Sequence, residues 1–247
     1  MLRAFLLYLS HANWARNIAL HWRLARAVAL RFVAGETQDQ AIEAVRQLND
    51  KGMQVTLDVL GESITDAAQA TAMKDAYLGL LDAICAADLQ AWLSLKLTAL
   101  GLDIDADLCH ENMRQILTQA KACGLYVTID MEDHPYTQRT LDLFRRLKNE
   151  DGFDNVRTVI QAYLYRSDDD IEAMAREGAG IRLCKGAYKE PAAVAYPKKA
   201  DVDAAYVRQM KVLLDAGSPN KNTLPGALHV AIISLKKLQP PRTRQPG

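Results

Sequence analysis

The sequence predicts an α/β protein whose parallel strands form a β/α barrel. Predicted strands begin near residues 54, 92, 125, 156 and 181, and a predicted helix separates each strand from the next. This rhythm is typical of right-handed βαβ units and a parallel sheet. Polar residues recur at alternate positions of these strands, whereas strands of an open, doubly covered sheet are near-continuous apolar runs. The polar positions therefore favour a barrel with a site at the C-terminal ends of its strands.

The first half of the chain supplies three of these strands. Residues 37–40 (Thr-Gln-Asp-Gln) resemble a capping box, and Gly52 follows the helix that they start. The aliphatic and β-branched run 54–60 predicts the first strand, and a helix-like stretch covers 66–88. Residues 92–98 alternate with the period of two that a strand requires. A further helix ends before Gly124 and leads to a third strand at 125–131.

The second half continues the alternation as far as residue 217. A helix at 137–148 precedes the fourth strand, 156–163. Residues 167–170 (Ser-Asp-Asp-Asp) predict a helix cap, and Gly178 marks the end of that helix. The fifth strand covers 181–186, and a last helix covers 201–216.

The composition is that of a soluble globular protein. Apolar residues make up 49% and charged residues 24%, and the formal net charge is zero, so the charge balance does not point to nucleic acid. No run approaches the roughly 18 apolar residues of a membrane span. The four cysteines lack C-x-x-C or zinc spacing, which predicts reduced core thiols in the cytoplasm.

The two ends of the chain differ from its middle. Residues 1–35 carry five arginines and no acid, which suits a helical cap on the domain, a basic helix in peripheral contact with the inner face of a membrane, or an organelle transit peptide. Residues 218–247 hold five basic residues, no acid and five of the eight prolines. The sequence therefore predicts an N-terminal helical segment at 1–53, a partial barrel at 54–217 and an atypical basic, proline-rich tail at 218–247.

Four polar or charged residues occupy corresponding positions near the ends of successive strands: Lys96, Asp130, Gln161 and Arg182. Burying any of them is costly unless the group is paired or faces a ligand, so the set predicts a site. Lys96 suits the Schiff-base nucleophile of a lysine-dependent aldolase. Alternatively, Lys96 and Arg182 are permanent cations that hold an anionic cofactor or substrate.

Two nearby segments add to these alternatives. Asp130, Glu132 and His134 have the residue types of a metal site, but the sequence has no second histidine nearby, and the His-Pro step ends the strand. The turn Lys185-Gly186 puts a cation beside backbone that lacks a Cβ, which suits a phosphate or pyrophosphate.

Six ordered motifs resemble those of the FAD-dependent proline dehydrogenases of the monofunctional bacterial type. The resemblance runs from about residue 5 to 217 and rests on Leu57-Asp-Val-Leu-Gly-Glu62, Leu95-Lys-Leu-Thr-Ala-Leu100, Ile129-Asp-Met-Glu132, Val159-Ile-Gln-Ala-Tyr-Leu164, Arg182-Leu-Cys-Lys-Gly-Ala-Tyr188 and Tyr196-Pro-Lys-Lys-Ala-Asp-Val-Asp203. It implies a distorted (β/α)8 TIM-like barrel, of which about five βα units are present, preceded by N-terminal helices. It also implies FAD as cofactor, L-proline as substrate, Δ1-pyrroline-5-carboxylate as product and a membrane quinone as electron acceptor.

The resemblance also implies roles for individual residues. Lys96 corresponds to a lysine that pairs with the proline carboxylate, and Tyr188 to a residue of the proline pocket. Catalytic roles beside the flavin ring fall to Asp130 and Arg182. The cofactor contacts that it implies are Asp130, Met131, Gln161, Arg182, Lys185, Gly186 and Ala187.

The resemblance ends at Gly217. The family continues with a Thr-His strand, a Phe-Gln-Met-Leu-Tyr-Gly strand and a helix with two adjacent arginines, none of which occurs in residues 218–247. The apolar segment 228–233 predicts at most one short strand or helix. A truncated or frameshifted chain is therefore expected, with the first and fifth strands as unpaired edges, little bound flavin and little activity. The alternatives are the aldolase and a non-catalytic barrel fragment.

Overall fold

Parallel strands and helices alternate along the chain. The computed structural model describes residues 33–35, 37–59, 61, 64–216 and 230–235. The elements, in chain order, are β1 (Val33–Gly35), α1 (Gln38–Asn49), β2 (Gln54–Val59), α2 (Ala67–Ala86), β3 (Ala91–Leu95), α3 (Ala106–Ala122), β4 (Val127–Ile129), α4 (Thr137–Arg145), β5 (Val156–Gln161), α5 (Ser167–Arg176), β6 (Gly180–Cys184), α6 (Lys199–Asp215) and β7 (Val230–Leu235). Short 3-10 turns cover Thr98–Leu100 and His134–Tyr136, and Arg146–Glu150 is π-helical.

All strands of the described sheet pair in parallel. Their order is β1-β7-β2-β3-β4-β5-β6, so each of the four βα units from β2 to β6 adds its strand beside the previous one. The five strands and six helices predicted from residue 37 to 216 are confirmed. Four of the strands end earlier than predicted, β3 at Leu95 and β4 at Ile129 for example, so several polar residues lie just beyond the strand ends.

One strand was not predicted from the sequence, and a second was foreseen only as one short strand or helix at 228–233. Val33–Gly35 forms β1 within the segment expected to be helical, and Val230–Leu235 forms β7 within the atypical tail. β7 pairs with β2 along its whole length, from Gln54–Val230 to Val59–Leu235. The expectation that the strand at residue 54 would be an unpaired edge is therefore wrong, because the aliphatic run 230–233 suits the interior of a parallel sheet. In the described sheet β1 and β6 are the outer strands. The predicted helices of residues 1–32 lie outside the described residues, and the boundaries at 53 and 217 stay a prediction.

Helix starts follow the sequence signals in most cases. The side chains of Thr37, Asp66 and Asp105 accept hydrogen bonds from the first turns of α1, α2 and α3. The predicted cap at Ser167 is wrong. Its hydroxyl instead donates to the carbonyl of Gln161, the last residue of β5, at 2.6 Å.

One large apolar core lies between the sheet and the helices. Strand residues such as Leu57, Leu93 and Ile129 are fully buried and pack with helix residues that include Tyr77 and Phe144. Nearly all of β2, β3, β4 and β5 is buried, whereas most of β6 is only partly buried. The core thus fixes the strand ends from β2 to β5 most firmly. In the part of the chain that the structure describes, no helix has the length and apolarity to cross a bilayer.

The prediction of four reduced thiols is wrong for two of them. Cys85 and Cys123 are joined by a disulfide with Cα atoms 5.8 Å apart, while Cys109 and Cys184 are free. The bonded residues lie at the C-terminal ends of the neighbouring helices α2 and α3. Because 38 residues separate them, only helix packing and not sequence spacing brings them together.

Alkylation of the purified chain tests this disulfide. After denaturation without reductant, two cysteines should react, and after reduction all four. A Cys85→Ser, Cys123→Ser double variant should lose about 4 kcal/mol of unfolding free energy, as expected for a closed loop of this length. Cys184→Ser is the control, which should lower each alkylation count by one. Four alkylated cysteines in the unreduced wild type would contradict the disulfide.

Candidate active site at the C-terminal ends of the strands

An arginine, an aspartate and a serine meet at the C-terminal end of the sheet. Arg182 of β6 donates to Oδ1 of Asp130, which follows β4, and its Nη1 lies 3.3 Å from Oγ of Ser94 in β3. The Ser94 hydroxyl donates to the same aspartate oxygen at 2.5 Å. The side chains of Arg182 and Asp130 are 34% and 20% exposed, so this ion pair is partly open to a ligand. The two residues predicted to be catalytic are therefore in contact.

The contact between Arg182 and Ser94 shows that the sheet is curved. Two strands, β4 and β5, separate β3 from β6. In a flat sheet three steps between strands would amount to about 14 Å. The 3.3 Å contact from Arg182 to Ser94 therefore requires a strongly curved sheet, with both side chains on its concave face. Such curvature is the barrel-like arrangement predicted from the polar positions.

A buried glutamate borders this cluster. Glu132 accepts hydrogen bonds from the Thr98 hydroxyl at 2.6 Å and from the Thr98 backbone N–H at 3.2 Å. Burial raises the pKa of the Glu132 carboxyl, while the Thr98 donors and the positive charge of Lys96 oppose that rise. Lys96 follows the last residue of β3 and is half-buried. The rim thus carries two cations, Lys96 and Arg182, each near a carboxylate.

The side chains of Gln161 and Met131 are buried and do not face solvent. Gln161 is 2% exposed, and its amide nitrogen donates to the backbone carbonyl of Glu132 at 2.7 Å. Met131 is also buried. Gln161 therefore holds the chain after β4 in place with its nitrogen, and its predicted contact with a cofactor stays a prediction.

A cavity of about 480 Å³ adjoins the turn after β6. Its wall includes the predicted cofactor residues Lys185, Gly186 and Ala187, together with Tyr188 and further residues, among them Tyr163, Lys189, Glu190, Lys199 and Asp203. Lys185 and Lys199 both contact Asp203, at 2.6 and 2.5 Å. Three lysines therefore face two carboxylates in this wall, which leaves a surplus of positive charge.

Position 186 requires a glycine because Tyr163 lies against it. Its φ is +101°, and a Cβ at this position would lie 2.5 Å from the ring of Tyr163. The side chain of Tyr163 thus occupies the space that a Cβ would need, and the predicted approach of a ligand to this backbone stays a prediction. The glycine therefore allows the turn to pack on Tyr163.

Tyr188 borders two cavities. It is 39% exposed and lines both the 480 Å³ cavity and a second one of about 360 Å³, which also contains Thr98, Glu132 and Tyr136. The second cavity lies beside the carboxylate and the threonine already described. Tyr188 therefore lies between a larger and a smaller cavity.

Sequence reasoning missed Glu190 and left His134 only as a possible metal ligand. The structure brings the two together, with His134 Nδ1 2.5 Å from Glu190 Oε2. Among the described residues no group of histidine, cysteine, aspartate and glutamate has the arrangement of a metal site. Glu190 follows an exposed lysine in a turn, and no local pattern distinguishes it from a solvated charge.

Known proteins resemble the chain over most of its length. A proline dehydrogenase family profile matches residues 41–230. The chain is 41% identical over 204 residues to proline dehydrogenase 2 of Bacillus subtilis strain 168, which covers 83% of the chain and 66% of that relative. It is 43% identical over 200 residues to a proline dehydrogenase of Deinococcus radiodurans, which covers 80% of the chain and 63% of that relative. The chain thus spans about two thirds of the length of these relatives.

Solved structures share the fold. Proline utilization A (PutA) from Bdellovibrio bacteriovorus, inactivated by N-propargylglycine, superposes with a TM-score of 0.73 over 90% of the chain and 26% of that protein, at 22% identity. A bifunctional PutA superposes with a TM-score of 0.64 over 86% of the chain and 24% of that protein, at 25% identity. The TIM-like β/α fold predicted from the sequence is confirmed. The comparisons give no support to the aldolase interpretation of Lys96.

Proposed function

Since the chain belongs to the proline dehydrogenase family, we propose that it carries the flavin site and part of the substrate site of an FAD-dependent oxidation of L-proline to Δ1-pyrroline-5-carboxylate. The observation that carries this proposal is the contact of Arg182 with Asp130 and Ser94 on the concave face of the sheet. FAD, when bound, would accept the hydride removed from proline. The residues of this chain would bind and orient the two molecules and stabilise the charge that develops.

The 480 Å³ cavity fits an anionic cofactor. Its volume lies in the usual range of small-molecule sites, and the lysines of its wall outnumber the carboxylates. Lys185 and Lys199 share a single aspartate, so one positive charge remains for a phosphate group. In this proposal Lys185, Gly186 and Ala187 of the cavity wall would hold the cofactor, and Asp130, Met131, Gln161 and Arg182 would contribute further contacts to it.

Arg182 and Lys96 would stabilise negative charge in the site. These two cations are fixed at the rim, so they would stabilise negative charge that develops in the site without having to reorganise. Asp130 and Ser94 hold the guanidinium of Arg182 in one orientation. Lys96 is proposed to pair with the proline carboxylate, and Tyr188 to border the proline ring from its position between the two cavities.

The electron acceptor and the location of the protein belong to the same proposal. A membrane quinone is proposed as acceptor, at the cytoplasmic face of a membrane, with the arginine-rich residues 1–35 as a peripheral contact. The resemblance to the family is what supports this part.

Flavin release and proline turnover test the proposed function. The 247-residue chain should be compared with a chimera in which the C-terminal part of the Bacillus subtilis relative follows Gly217. The chimera should release FAD into the filtrate after denaturation and reduce a dye with proline. The 247-residue chain should do both more weakly, because residues 218–247 lack the family's adjacent arginines.

Three outcomes of this comparison would contradict separate parts of the proposal. A chimera that folds but releases no flavin after growth with ample riboflavin would contradict the cofactor assignment. Flavin without proline turnover would contradict the substrate assignment. Full occupancy and turnover in the 247-residue chain would contradict the expectation of weak activity.

A further inference from the structure

We propose that Glu190 is a positioning residue that, through Tyr163 and His134, fixes the turn 185–190 and with it the location of Tyr188. This turn forms one wall of the 480 Å³ cavity. The inference rests on the proposed function only for the identity of the ligand in that cavity. Its structural content is a set of hydrogen bonds that ties together the chain segments after β4, β5 and β6.

The carboxylate of Glu190 receives hydrogen bonds from two segments. Its Oε1 accepts from the backbone N–H of His134 at 2.9 Å and from the hydroxyl of Tyr163 at 3.2 Å. Its Oε2 lies 2.5 Å from His134 Nδ1. The Glu190 side chain is only 3% exposed, whereas the His134 side chain is 39% exposed. A carboxylate buried to this extent stays in place only while its donors do, so the three contacts fix its position.

Tyr163 connects the fixed carboxylate of Glu190 to Tyr188. The Tyr163 hydroxyl donates to Glu190, and the backbone of Tyr188 lies close enough to this hydroxyl to lower the pKa of Tyr163. Burial and the charge of Glu190 raise the pKa of Tyr163, so the hydroxyl keeps the proton that it donates. The ring of Tyr163 also packs against Gly186. One tyrosine therefore contacts the turn near both of its ends.

The rest of the turn is held at its flanks. At the first residue of the turn, the Lys185 carbonyl accepts from the Tyr163 N–H at 3.1 Å. Beyond its last residue, the Tyr196 N–H donates to the Tyr163 carbonyl at 2.8 Å. Ala187, Tyr188 and Lys189 between these points are exposed. Glu190 is thus the buried polar side chain of an otherwise exposed stretch, and this location suits positioning better than a general contribution to stability.

Hydrogen exchange in flavin-free protein tests the proposal without any use of activity. In Tyr163→Phe, the ring remains over Gly186 but the hydroxyl is lost, and the amides of 186–190 should exchange about tenfold faster or more. Glu190→Ala should do the same. Glu190→Gln keeps an oxygen acceptor for the His134 N–H and Tyr163 hydroxyl, and should retain most of the protection.

Another histidine–carboxylate pair among the described residues supplies the control. His110 Nε2 lies 2.6 Å from Asp151 Oδ2 at side-chain exposures of 10% and 19%, and neither residue lines the cavity. His110→Ala should leave exchange at 186–190 unchanged even where it lowers the melting temperature. In a flavin titration, Tyr163→Phe should raise the FAD dissociation constant at least tenfold, and His110→Ala should not.

The two readouts separate this inference from the proposed function. Faster exchange at 186–190 in Tyr163→Phe would support the positioning role. If the wild type then bound no FAD in the titration, the cofactor assignment would be contradicted while the positioning role stood. Unchanged exchange in both Tyr163→Phe and Glu190→Ala would overturn the positioning role. Equal acceleration across all described helices would also overturn it, since the effect would then be a general loss of stability.

Discussion

Replacement of Arg182 by methionine is expected to raise the FAD dissociation constant by about 10- to 100-fold, the effect of losing hydrogen bonds to a charged group. In a version of the protein that turns over proline, kcat should fall by about 10²- to 10³-fold, as it does when a donor to a developing negative charge is removed. Methionine preserves much of the volume of the arginine stem but leaves Asp130, which is only 20% exposed, without its cation.

Arg157→Met is the matched control for this variant. Arg157 lies on β5 near its N-terminal end, and its guanidinium stacks over the ring of Tyr126 at 3.9 Å. Its loss should lower the melting temperature without a change in flavin affinity. Arg182→Lys should recover part of the affinity, because the charge returns without the two-pronged geometry. Equal flavin affinities in Arg182→Met and wild type would refute the role of Arg182.

Gly186→Ala is expected to destabilise the protein more than Gly178→Ala, although both glycines have a positive φ. The left-handed φ of +101° adds about 1–3 kcal/mol of backbone strain. The new Cβ would also lie 2.5 Å from Tyr163, and overpacking of this kind costs about 1–3 kcal/mol more. Chemical denaturation should measure the sum, and the FAD affinity should fall with it.

Gly178→Ala separates the two contributions. Gly178 also has a positive φ, +62°, but nothing lies within 4 Å of a Cβ at that position. This variant should therefore show only the backbone cost, about 1–2 kcal/mol. Combining Gly186→Ala with Tyr163→Ala should remove the packing part, which a double-mutant cycle would reveal as a coupling energy. Equal losses in Gly178→Ala and Gly186→Ala would show that Tyr163 does not crowd the turn.

The repeating part of the fold could be predicted because its signals are local. Capping residues such as Thr37 and Asp66 and the glycines after the helices mark the boundaries within a few residues. Strand ends were less well predicted, because alternation continues across the rim: Lys96 and Thr98 keep the period of β3 although Thr98 already starts a 3-10 turn. The three-residue β1 is too short to carry a signal. The apolar segment 228–233 indicated one short strand or helix, but not that it would pair with β2.

The site could be predicted residue by residue but not as a network. Asp130 and Arg182 were recognised as charged groups in strand positions, yet their contact depends on the curvature of the sheet. Glu190 was missed because its burial arises from His134 and Tyr163, which are 56 and 27 positions away in sequence. The disulfide was missed for the same reason. Contacts between distant segments are what local patterns do not contain.

The insertion of β7 beside β2 has a consequence for the time course of folding. Every other neighbour from β2 to β6 is the next strand along the chain, whereas the residues that pair in β2 and β7 are more than 170 positions apart. Pairings over such distances form late, since the entropy of closing the loop must be overcome first. On the ribosome, at about 5–20 residues per second, the open edge of β2 would wait roughly 10–35 s for its partner. During that interval it would be a template for pairing with other nascent chains, and a chaperone that covers this edge would raise the yield of folded protein.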